Sequence, residues 1–385
     1  MSFSNFDHQM MSRALQLAKK GIYTTAPNPN VGCVVTLGEI VVGEGAHLKA
    51  GDPHAEVHAL RQAADNTKGA TAYVTLEPCS HFGRTPPCAE ALIKAQVSRV
   101  VCAMQDPNPQ VAGRGIQMLR DAGIKVDVGL LEADAIALNP GFIKRMKTGM
   151  PFVQLKLAAS LDGKTALKNG ESKWITGSKA RQDVQLFRAK AGAILSSSKT
   201  VLDDNASLNV RLDDLPESVA LSYAEPTARQ PIRIILDRNS DINKVDVNAL
   251  NLLKSEGDLL LVVGQKSDTK VCSSPKSKIE SIQAPLNLHH QFDLPLLLKQ
   301  LANDHNINHV WVEAGATLAT SFIEQGLVDE LIVYLAPKLM GTDGRGLTQI
   351  TGLESMQDTI NLTVKDCRMV GDDIRLIATL NSTSK

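Results

Sequence analysis

Hydrophobic and polar positions in the first part of the chain alternate between short apolar runs and longer amphipathic segments. Four apolar runs have the length of strands: 33–36, 40–43, 72–76 and 99–103. The first two flank Leu37-Gly38-Glu39, which predicts a hairpin. Helical periodicity predicts an N-terminal helix with Asp7 as its N-cap, and further helices over 54–64, 89–95 and 116–122. This alternation indicates α/β layers around a mostly parallel sheet.

The same alternation resumes in the second part of the chain. It predicts helices over 178–189 and 317–325 and strands over 152–158, 193–195, 232–236, 259–263, 309–312 and 330–335. Two polar stretches, 213–231 and 265–285, predict loops. Residues 139–151 are basic and contain Gly and Pro. We therefore predict two domains, 1–148 and 149–385, the alternative being one long surface loop at that point.

Length and composition narrow the class of protein. The 385 residues include 43% hydrophobic side chains, which can bury a substantial core. Lys plus Arg and Asp plus Glu are 41 each, so the formal net charge is zero. A chain with zero net charge has no overall positive potential that would attract a long polyanion. We therefore expect no nucleic-acid partner. No apolar run reaches the ~18 residues of a membrane span, and the N-terminus lacks an apolar signal segment, so we expect no membrane association and a cytoplasmic location.

The motif His54-Ala55-Glu56 and the later pair Cys79 and Cys88 form the strongest local signal. One imidazole and two thiolates suit zinc, and three protein ligands leave a fourth position for water, as in catalytic zinc sites. Both halves stand where a loop meets a predicted helix start, which favours anionic sulfur. Glu56 is not needed as a ligand, so it is free to carry protons. The six cysteines are widely scattered, which favours a metal site or buried thiols over disulfides.

This motif fits the first half of the zinc deaminase signature, His-x-Glu followed by Pro-Cys-x-x-Cys. It departs from the second half, because Cys79 and Cys88 are nine positions apart instead of three. A closed structural zinc module, with His81 or His58 as fourth ligand, is one alternative. A zinc-organised scaffold in which the carboxylate is incidental is another. We favour non-ligand roles for both histidines, since the spacing of His58 from His54 is also ordinary on a helix surface.

Several stretches resemble the bifunctional deaminase–reductase family of riboflavin biosynthesis, and the resemblance covers nearly the whole chain. They are 27–32, 45–51, 54–56, 78–88 and 106–109. The resemblance implies a cytidine-deaminase-like three-layer α/β/α domain followed by a dihydrofolate-reductase-like α/β domain. It implies deamination of 2,5-diamino-6-ribosylamino-4(3H)-pyrimidinone 5′-phosphate, with Glu56 as the catalytic residue. The residues that it assigns to this substrate are Asn28, His47, Arg84, Asp106 and Asn108.

The second domain lacks the strand-linked Gly-x-Gly-x-x-Gly fingerprint of dinucleotide sites. Gly315-Ala316-Thr317 follows an apolar run and opens a predicted helix, so its N–H groups can receive a phosphate. A plain tight turn is the alternative. Arg238 is a candidate for the 2′-phosphate of the cofactor, the alternative being a solvated arginine.

The resemblance implies NADPH as cofactor and reduction of the ribosyl group of 5-amino-6-(5-phosphoribosylamino)uracil to ribityl. Residues that it places against NADPH are Ala158, Trp174, Thr200, Asp204, Gly315, Ala316, Thr317, Leu318, Ala319, Thr320 and Ser321. Residues that it places against the second substrate are Lys156, Ser172, Arg188, Leu208, Arg211 and Glu313. The expected partners are phosphorylated ribosylaminopyrimidines, and a homo-oligomer is compatible with the sequence. A nucleic-acid base deaminase with an appended binding domain is the alternative function, which the zero net charge disfavours.

Overall fold

The structure is a computed structural model that describes residues 3–80, 86–109, 111–221, 223, 227–246, 249–264, 274 and 276–381. Within these residues the chain divides into two compact units, Met1–Met150 and Pro151–Lys385. None of the described helices combines the length and the apolar character that a membrane crossing requires.

A five-stranded sheet forms the centre of the first unit. Its strands are β1 (Gly32–Leu37), β2 (Ile40–Ala46), β3 (Thr71–Val74), β4 (Arg99–Cys102) and β5 (Lys125–Val128). Their order in the sheet is β2-β1-β3-β4-β5. Strand β1 is antiparallel to both of its neighbours, whereas β3, β4 and β5 are parallel. The predicted hairpin at the start of the sheet is confirmed.

Six helices cover the two faces of this sheet. They are α1 (Asn5–Ala18), α2 (Ala55–Ala63), α3 (Cys88–Lys94), α4 (Arg114–Asp121), α5 (Glu132–Leu138) and α6 (Pro140–Thr148). Because side chains alternate along a strand, Cys33 and Val35 of β1 pack in one apolar cluster with α2, α3 and α4. The intervening Val34 packs in a second cluster with α1, α5 and α6. The result is a three-layer α/β/α arrangement.

Helix α1 begins one turn earlier than the sequence pattern indicates. Its N-cap is Ser4, whose hydroxyl accepts from the Asp7 N–H at 3.0 Å, while the Asp7 carboxylate accepts from the Ser4 N–H at 2.9 Å. The prediction of Asp7 as N-cap was therefore wrong. This carboxylate also accepts hydrogen bonds from Arg99 on β4 (2.7 Å) and Tyr73 on β3 (2.8 Å), which fix the helix to the sheet.

The basic segment 139–151, at which the sequence predicts a domain boundary, is mostly helix α6. Pro140 occupies its first turn, where the missing N–H has no intrahelical partner to lose, and Gly149 ends it with φ +69°. Gly and Pro therefore mark the two ends of a helix here, and they do not mark an extended connection.

A nine-stranded sheet forms the centre of the second unit. Its strands are β6 (Phe152–Ser160), β8 (Ala193–Ser197), β9 (Ile232–Leu236), β10 (Leu259–Val263), β11 (Ile279–Gln283), β12 (His309–Glu313), β13 (Glu330–Ala336), β15 (Leu362–Val370) and β16 (Asp373–Leu380). Their order is β11-β10-β9-β8-β12-β6-β13-β16-β15, parallel up to β13 and antiparallel at β16 and β15. Strands β7 (Lys164–Ala166) and β14 (Arg345–Gly346) form a separate antiparallel pair.

The helices of this unit are α7 (Ser178–Lys190), α8 (Ser198–Asp204), α9 (Glu217–Ala220), α10 (Asn251–Lys254), α11 (Leu294–Asp304) and α12 (Ala316–Glu324). The six predicted strands and two predicted helices are present. Strand β11 falls inside the 265–285 stretch and α9 inside the 213–231 stretch, so the loop prediction was incomplete for both. The exposed β11 carries polar residues at most positions, which is why its apolar signal is weak.

We predict that Asp7→Asn lowers the free energy of unfolding by about 2 kcal/mol at neutral pH, the scale of hydrogen bonds to a charged group. Burial alone raises the pKa of Asp7, but hydrogen bonds from Arg99, Ser4 and Tyr73 outweigh it and hold the pKa well below its usual range. This contribution is therefore present above the unfolded pKa of about 4 and is lost as the pH falls towards the folded value.

Chemical denaturation of the wild type and the variant between neutral and acidic pH measures this difference. Asp121→Asn is the control, because the exposed Asp121 carboxylate accepts a side-chain hydrogen bond from Gln117 alone among the described residues. We expect the control to stay within about 0.5 kcal/mol of the wild type. Equal stability of Asp7→Asn and the control would contradict the role of this network.

Candidate active sites

Three potential metal ligands meet at the starts of two helices in the first unit. His54 is the N-cap residue of α2, and its side chain caps no backbone N–H. Cys88 is the first residue of α3, and Cys79 lies in the loop after β3. The ligand atoms of the three side chains all lie within 4.8 Å of one another. His54 Nδ1 is 3.6 Å from Cys79 Sγ and 3.3 Å from Cys88 Sγ.

The surroundings of Cys79 favour negative charge on its sulfur. The Cys88 N–H, at the N-terminus of α3, donates to Cys79 Sγ at 3.3 Å. A hydrogen bond with the Cys88 side chain, followed by one with His54, lowers the pKa of the Cys79 thiol. The hydrogen bond with Cys79 in turn raises the pKa of His54. A thiolate, a second sulfur and an imidazole at these distances are the donor set of a three-ligand zinc site, so the residues fit the predicted ion.

Glu56 lies in the first turn of α2, beside these ligands. It is 3% exposed, and its Oε2 atom is buried without a hydrogen-bond partner among the described residues. Burial is the main reason that the pKa of Glu56 is raised to about 7. Buried carboxylate oxygens usually have partners, so an unpartnered one that faces a metal site indicates a group that exchanges protons there.

Two glycines of β2 let α2 lie close enough to the sheet to present His54 and Glu56. A Cβ on Gly45 would stand 2.1 Å from the Ala55 carbonyl oxygen. A Cβ on Gly43 would stand 2.1 Å from the carbonyl oxygen of Ala59, one turn later. Any side chain at either position would push the helix, and with it the site, away from the strand.

Two of the predicted substrate residues reach the metal ligands through a chain of contacts. Asn28 Nδ2 lies 3.1 Å from His47 Nε2, and His47 Nδ1 lies 3.2 Å from the Pro53 carbonyl oxygen. The His47 ring packs edge-on against His54 at 5.4 Å between ring centroids. His47 is 2% exposed, and burial lowers its pKa. A neutral His47 that donates to Pro53 and accepts from Asn28 fits these contacts.

The loop that carries Asn28 is fixed by an asparagine pair that sequence reasoning missed. Asn139 Oδ1 accepts from the Asn30 N–H at 2.7 Å, and Asn139 Nδ2 donates to the Asn30 carbonyl at 2.9 Å. Asn139 stands between α5 and α6, more than a hundred residues away along the chain. A pairing over that distance has no local pattern that could predict it.

The remaining deaminase predictions have different outcomes. Asp106 and Asn108 are half-buried in the loop after β4, where Asp106 Oδ1 accepts from the Asn108 N–H at 2.8 Å. His58 is not part of the ligand cluster. Arg84 and His81 lie outside the described residues, so their predicted roles remain predictions.

A cleft of ≈ 1630 Å³ opens in the second unit, along the carboxyl ends of β8, β9 and β12. The carboxyl edge of a parallel sheet is the usual place for a ligand in open α/β folds. Pockets for one small ligand measure roughly 300–1,000 Å³, so this cleft has room for a dinucleotide and a second substrate side by side.

Most of the predicted reductase residues line this cleft. They are Lys156, Ala158, Ser172, Trp174, Arg188, Thr200, Asp204, Leu208, Arg211, Glu313, Gly315, Ala316, Thr317, Leu318 and Ser321. Ala319 and Thr320 do not line it: both are buried on the inner face of α12, and the Thr320 hydroxyl accepts from the Gln349 N–H at 2.7 Å. Residues 315–321 form the N-cap and the first turns of helix α12, which turns Ala319 and Thr320 inward.

A buried ion pair forms one wall of the cleft. Arg188 donates to both carboxylate oxygens of Glu313, at 2.6 and 2.9 Å, and Trp311 Nε1 donates to the same carboxylate at 2.8 Å. Burial raises the pKa of Glu313, but the charge and hydrogen bonds of Arg188 outweigh it and lower the pKa to about 2. The nearby Lys156 ammonium is also buried, which lowers its pKa, and the negative charge of Glu313 partly offsets that effect.

The cleft also has features that suit a nicotinamide dinucleotide. Gly315 is the N-cap of α12 without a side-chain cap, and a Cβ built on it would meet open space, so a phosphate can approach the N–H groups of the first turn. Trp174 is 67% exposed at the cleft and stacks on Arg181, whose guanidinium carbon is 4.5 Å from the ring centroid. Arg238 is exposed at the end of β9 and lines the same cleft, within reach of a charged ligand there.

Comparison with protein families finds two matches that together cover most of the chain. Residues 4–104 match the cytidine and deoxycytidylate deaminase zinc-binding region. Residues 151–376 match the RibD C-terminal domain. The first match contains all three candidate ligands, and the second contains every residue that forms the cleft.

Curated relatives and solved structures resemble the chain over its full length. The riboflavin biosynthesis protein RibD of Escherichia coli is 51% identical over 96% of this chain and 98% of its own. The riboflavin biosynthesis protein RibD of Haemophilus influenzae is 51% identical over 98% of this chain and 99% of its own length. The structure of Acinetobacter baumannii RibD (form 2) has a TM-score of 0.85 and 44% identity, covering 98% of this chain and 99% of that one. A Thermotoga maritima diaminohydroxyphosphoribosylaminopyrimidine deaminase/5-amino-6-(5-phosphoribosylamino)uracil reductase has a TM-score of 0.81 and 30% identity, with the same coverage.

The fold and the two sites therefore define a two-activity enzyme, a zinc-dependent deaminase followed by an NADPH-dependent reductase. The predicted fold class, the two activities and both cofactors are confirmed. With half of its residues identical to relatives of the same length, the chain belongs to the RibD family of riboflavin biosynthesis proteins. The alternative of a nucleic-acid base deaminase with an appended binding domain is not favoured.

We predict that Cys88→Ser lowers the zinc content of the purified full-length chain well below one ion per chain. The reason is that a hydroxyl is a much poorer zinc ligand than a thiolate. Elemental analysis of the dialysed protein measures this change. Cys367→Ser is the matched control, since Cys367 is exposed on β15 of the second unit and does not belong to the ligand cluster. Equal zinc content in both variants would contradict the ligand assignment.

Proposed function

We propose that the first unit deaminates 2,5-diamino-6-ribosylamino-4(3H)-pyrimidinone 5′-phosphate. His54, Cys79 and Cys88 would hold zinc, which would activate a water molecule by lowering its pKa to about 7. The observation that carries this proposal is the buried, unpartnered Glu56 Oε2 beside the three ligands. Glu56 takes one proton from the attacking water and gives it to the ring nitrogen as the C–O bond forms. It then takes the remaining proton of the added hydroxyl and gives it to the amino group, which leaves as ammonia as the C–N bond breaks and the carbonyl forms.

Other residues of this unit bind and orient. Asn28, Asp106 and Asn108 offer amide and carboxylate groups that suit the edge of a diaminopyrimidine. His47 contacts both Asn28 and the ring of His54, so it links the loop that carries Asn28 to a candidate metal ligand. Arg84, with a cationic guanidinium, is suited to the substrate phosphate.

We propose that the second unit then reduces the ribosyl group of 5-amino-6-(5-phosphoribosylamino)uracil to ribityl. NADPH supplies the hydride. Ala158, Trp174, Thr200, Asp204 and the first turn of α12 would hold the cofactor, because these residues line one cleft. The protein contributes mainly position, by holding C1′ of the ribose against the nicotinamide.

The phosphate and ribose of this second substrate meet the charged wall of the cleft. Arg211 is half-exposed and offers its guanidinium to the phosphate, while the Arg188–Glu313 pair and Lys156 face the ribose. Ser172 and Leu208 line the same part of the cleft. The proposal places the deaminase domain at 1–148 and the reductase domain at 149–385. It also includes a cytoplasmic location, which the free thiols of the described cysteines support.

We predict that Glu56→Gln reduces the deaminase kcat at least about a hundredfold, the usual scale for losing a general acid–base group. Zinc content and the reductase rate on the deaminated substrate should stay at wild-type levels, because neither the ligands nor the cleft is changed. Ammonia release and NADPH oxidation, assayed separately on the full-length chain, measure the two activities. Undiminished ammonia release with zinc bound would show that Glu56 is incidental.

We predict that Arg211→Ala raises the reductase KM for the phosphorylated substrate about tenfold or more, because a charge-assisted contact to the phosphate is lost. The KM for NADPH should stay close to that of the wild type. Arg368→Ala is the matched control, since Arg368 is an exposed arginine on β15 that also pairs with a nearby aspartate and does not line the cleft. An unchanged substrate KM in Arg211→Ala would contradict the assignment.

A further inference from the structure

We infer that Glu77 is a positioning residue of the deaminase site. Its carboxylate holds the substrate loop, which follows β4 and carries Asp106 and Asn108, against the segment that carries Cys79. This inference rests on the proposed deaminase function. Glu77 precedes Pro78 and Cys79, and it is 3% exposed. The zinc-site chemistry described above does not use it.

Four backbone N–H groups from one distant segment converge on this carboxylate. Oε2 accepts from the N–H of Asp106 at 3.1 Å and from that of Gly113 at 2.9 Å. Oε1 accepts from the N–H of Gly115 at 2.9 Å and from that of Ile116 at 3.2 Å. One oxygen therefore binds the first part and the last residue of the loop, and the other binds the first turn of α4.

This arrangement explains how a buried carboxylate is tolerated here. Burying a charge is costly unless it is hydrogen-bonded, and hydrogen bonds to an ionised acceptor are stronger than neutral ones. The N-cap of α4, Gly113, provides no side-chain cap, so Glu77 caps this helix from another part of the chain. The helix N-terminus also stabilises the negative charge.

The same contacts tie the substrate loop to the zinc ligand. A Cβ on Gly115 would stand 2.0 Å from the Pro78 carbonyl oxygen, so α4 begins in direct contact with the residue before Cys79. The Glu77 N–H also donates to the Met104 carbonyl at 3.0 Å. Asp106 and Asn108 are thus held at both ends of their loop relative to Cys79.

A direct role in the reaction is excluded by the same geometry. A carboxylate has about four acceptor positions, and the backbone of the loop and of α4 occupies four of them. Glu77 therefore acts through Asp106 and Asn108, and its loss should weaken substrate binding more than it slows the chemical step.

The experiment compares Glu77→Gln with the wild type in the full-length, zinc-loaded chain. The amide keeps one acceptor oxygen and turns an NH₂ group towards two N–H donors. We expect the deaminase KM to rise about tenfold, the scale of one hydrogen bond to a charged group, with a smaller change in kcat. Zinc content and both reductase KM values should be those of the wild type, which makes the second activity an internal reference.

Asp7→Asn is the matched control, because it also removes a buried, hydrogen-bonded carboxylate of the same unit, away from the ligands. We expect it to lower the melting temperature and leave the deaminase KM unchanged, which separates general destabilisation from positioning. Should Glu77→Gln fail to fold, Gly115→Ala tests the contact between the start of α4 and the segment 77–79. The added Cβ displaces α4 from the Pro78 carbonyl oxygen. It should raise KM with zinc retained.

An unchanged deaminase KM in a zinc-loaded Glu77→Gln or Gly115→Ala protein would overturn the inference and leave the proposed function intact. A fall in zinc content together with a wild-type KM for the remaining activity would also overturn it, because Glu77 would then serve the metal site alone. A wild-type chain that releases no ammonia from the diaminopyrimidine would instead overturn the proposed function itself.

Discussion

The deaminase half depends on bringing one imidazole and two sulfurs from three separate segments within 4.8 Å of one another. No single element achieves this. Helix α2 can present His54 and Glu56 only because β2 has glycine where the helix backbone touches it. Helix α3 begins at Cys88, so its N-terminal N–H both positions and stabilises the sulfur of Cys79. The metal site is therefore a consequence of how two helices meet one sheet edge.

The reductase half follows a different physical logic, because its site is an open cleft and has no metal centre among the described residues. The parallel strands end together at this cleft, which places their polar termini in one space. Glu313 is charged there because Arg188 forms two hydrogen bonds with it, and this compensates for burial. A preorganised charged wall of this kind suits a reaction in which the cofactor carries the chemistry and the protein supplies position.

Local patterns were most reliable where one element explains the residue types within it. Four strands of the first sheet, six strands of the second and the helices that begin beside His54 and Cys88 follow from hydrophobic periodicity. Prediction failed where one residue type occurs in two different structural roles. Asp7 suits an N-cap, but it serves a capping box and a buried pair with Arg99. Likewise Gly and Pro left a surface loop over 139–151 as an alternative, but they mark the ends of helix α6. The polar β11 lacks the apolar run of a core strand.

The sequence by itself identified the three candidate zinc ligands and the carboxylate beside them, and its family resemblance identified part of the lining of the reductase cleft, because these side chains carry the chemistry and stand in recognisable motifs. Tertiary structure alone decided which residues hold those motifs in place. The pairing of Asn30 with Asn139 and the four N–H groups on Glu77 join segments that are far apart in the chain. Backbone hydrogen bonds of this kind depend on the path of the chain and leave no signature in residue type.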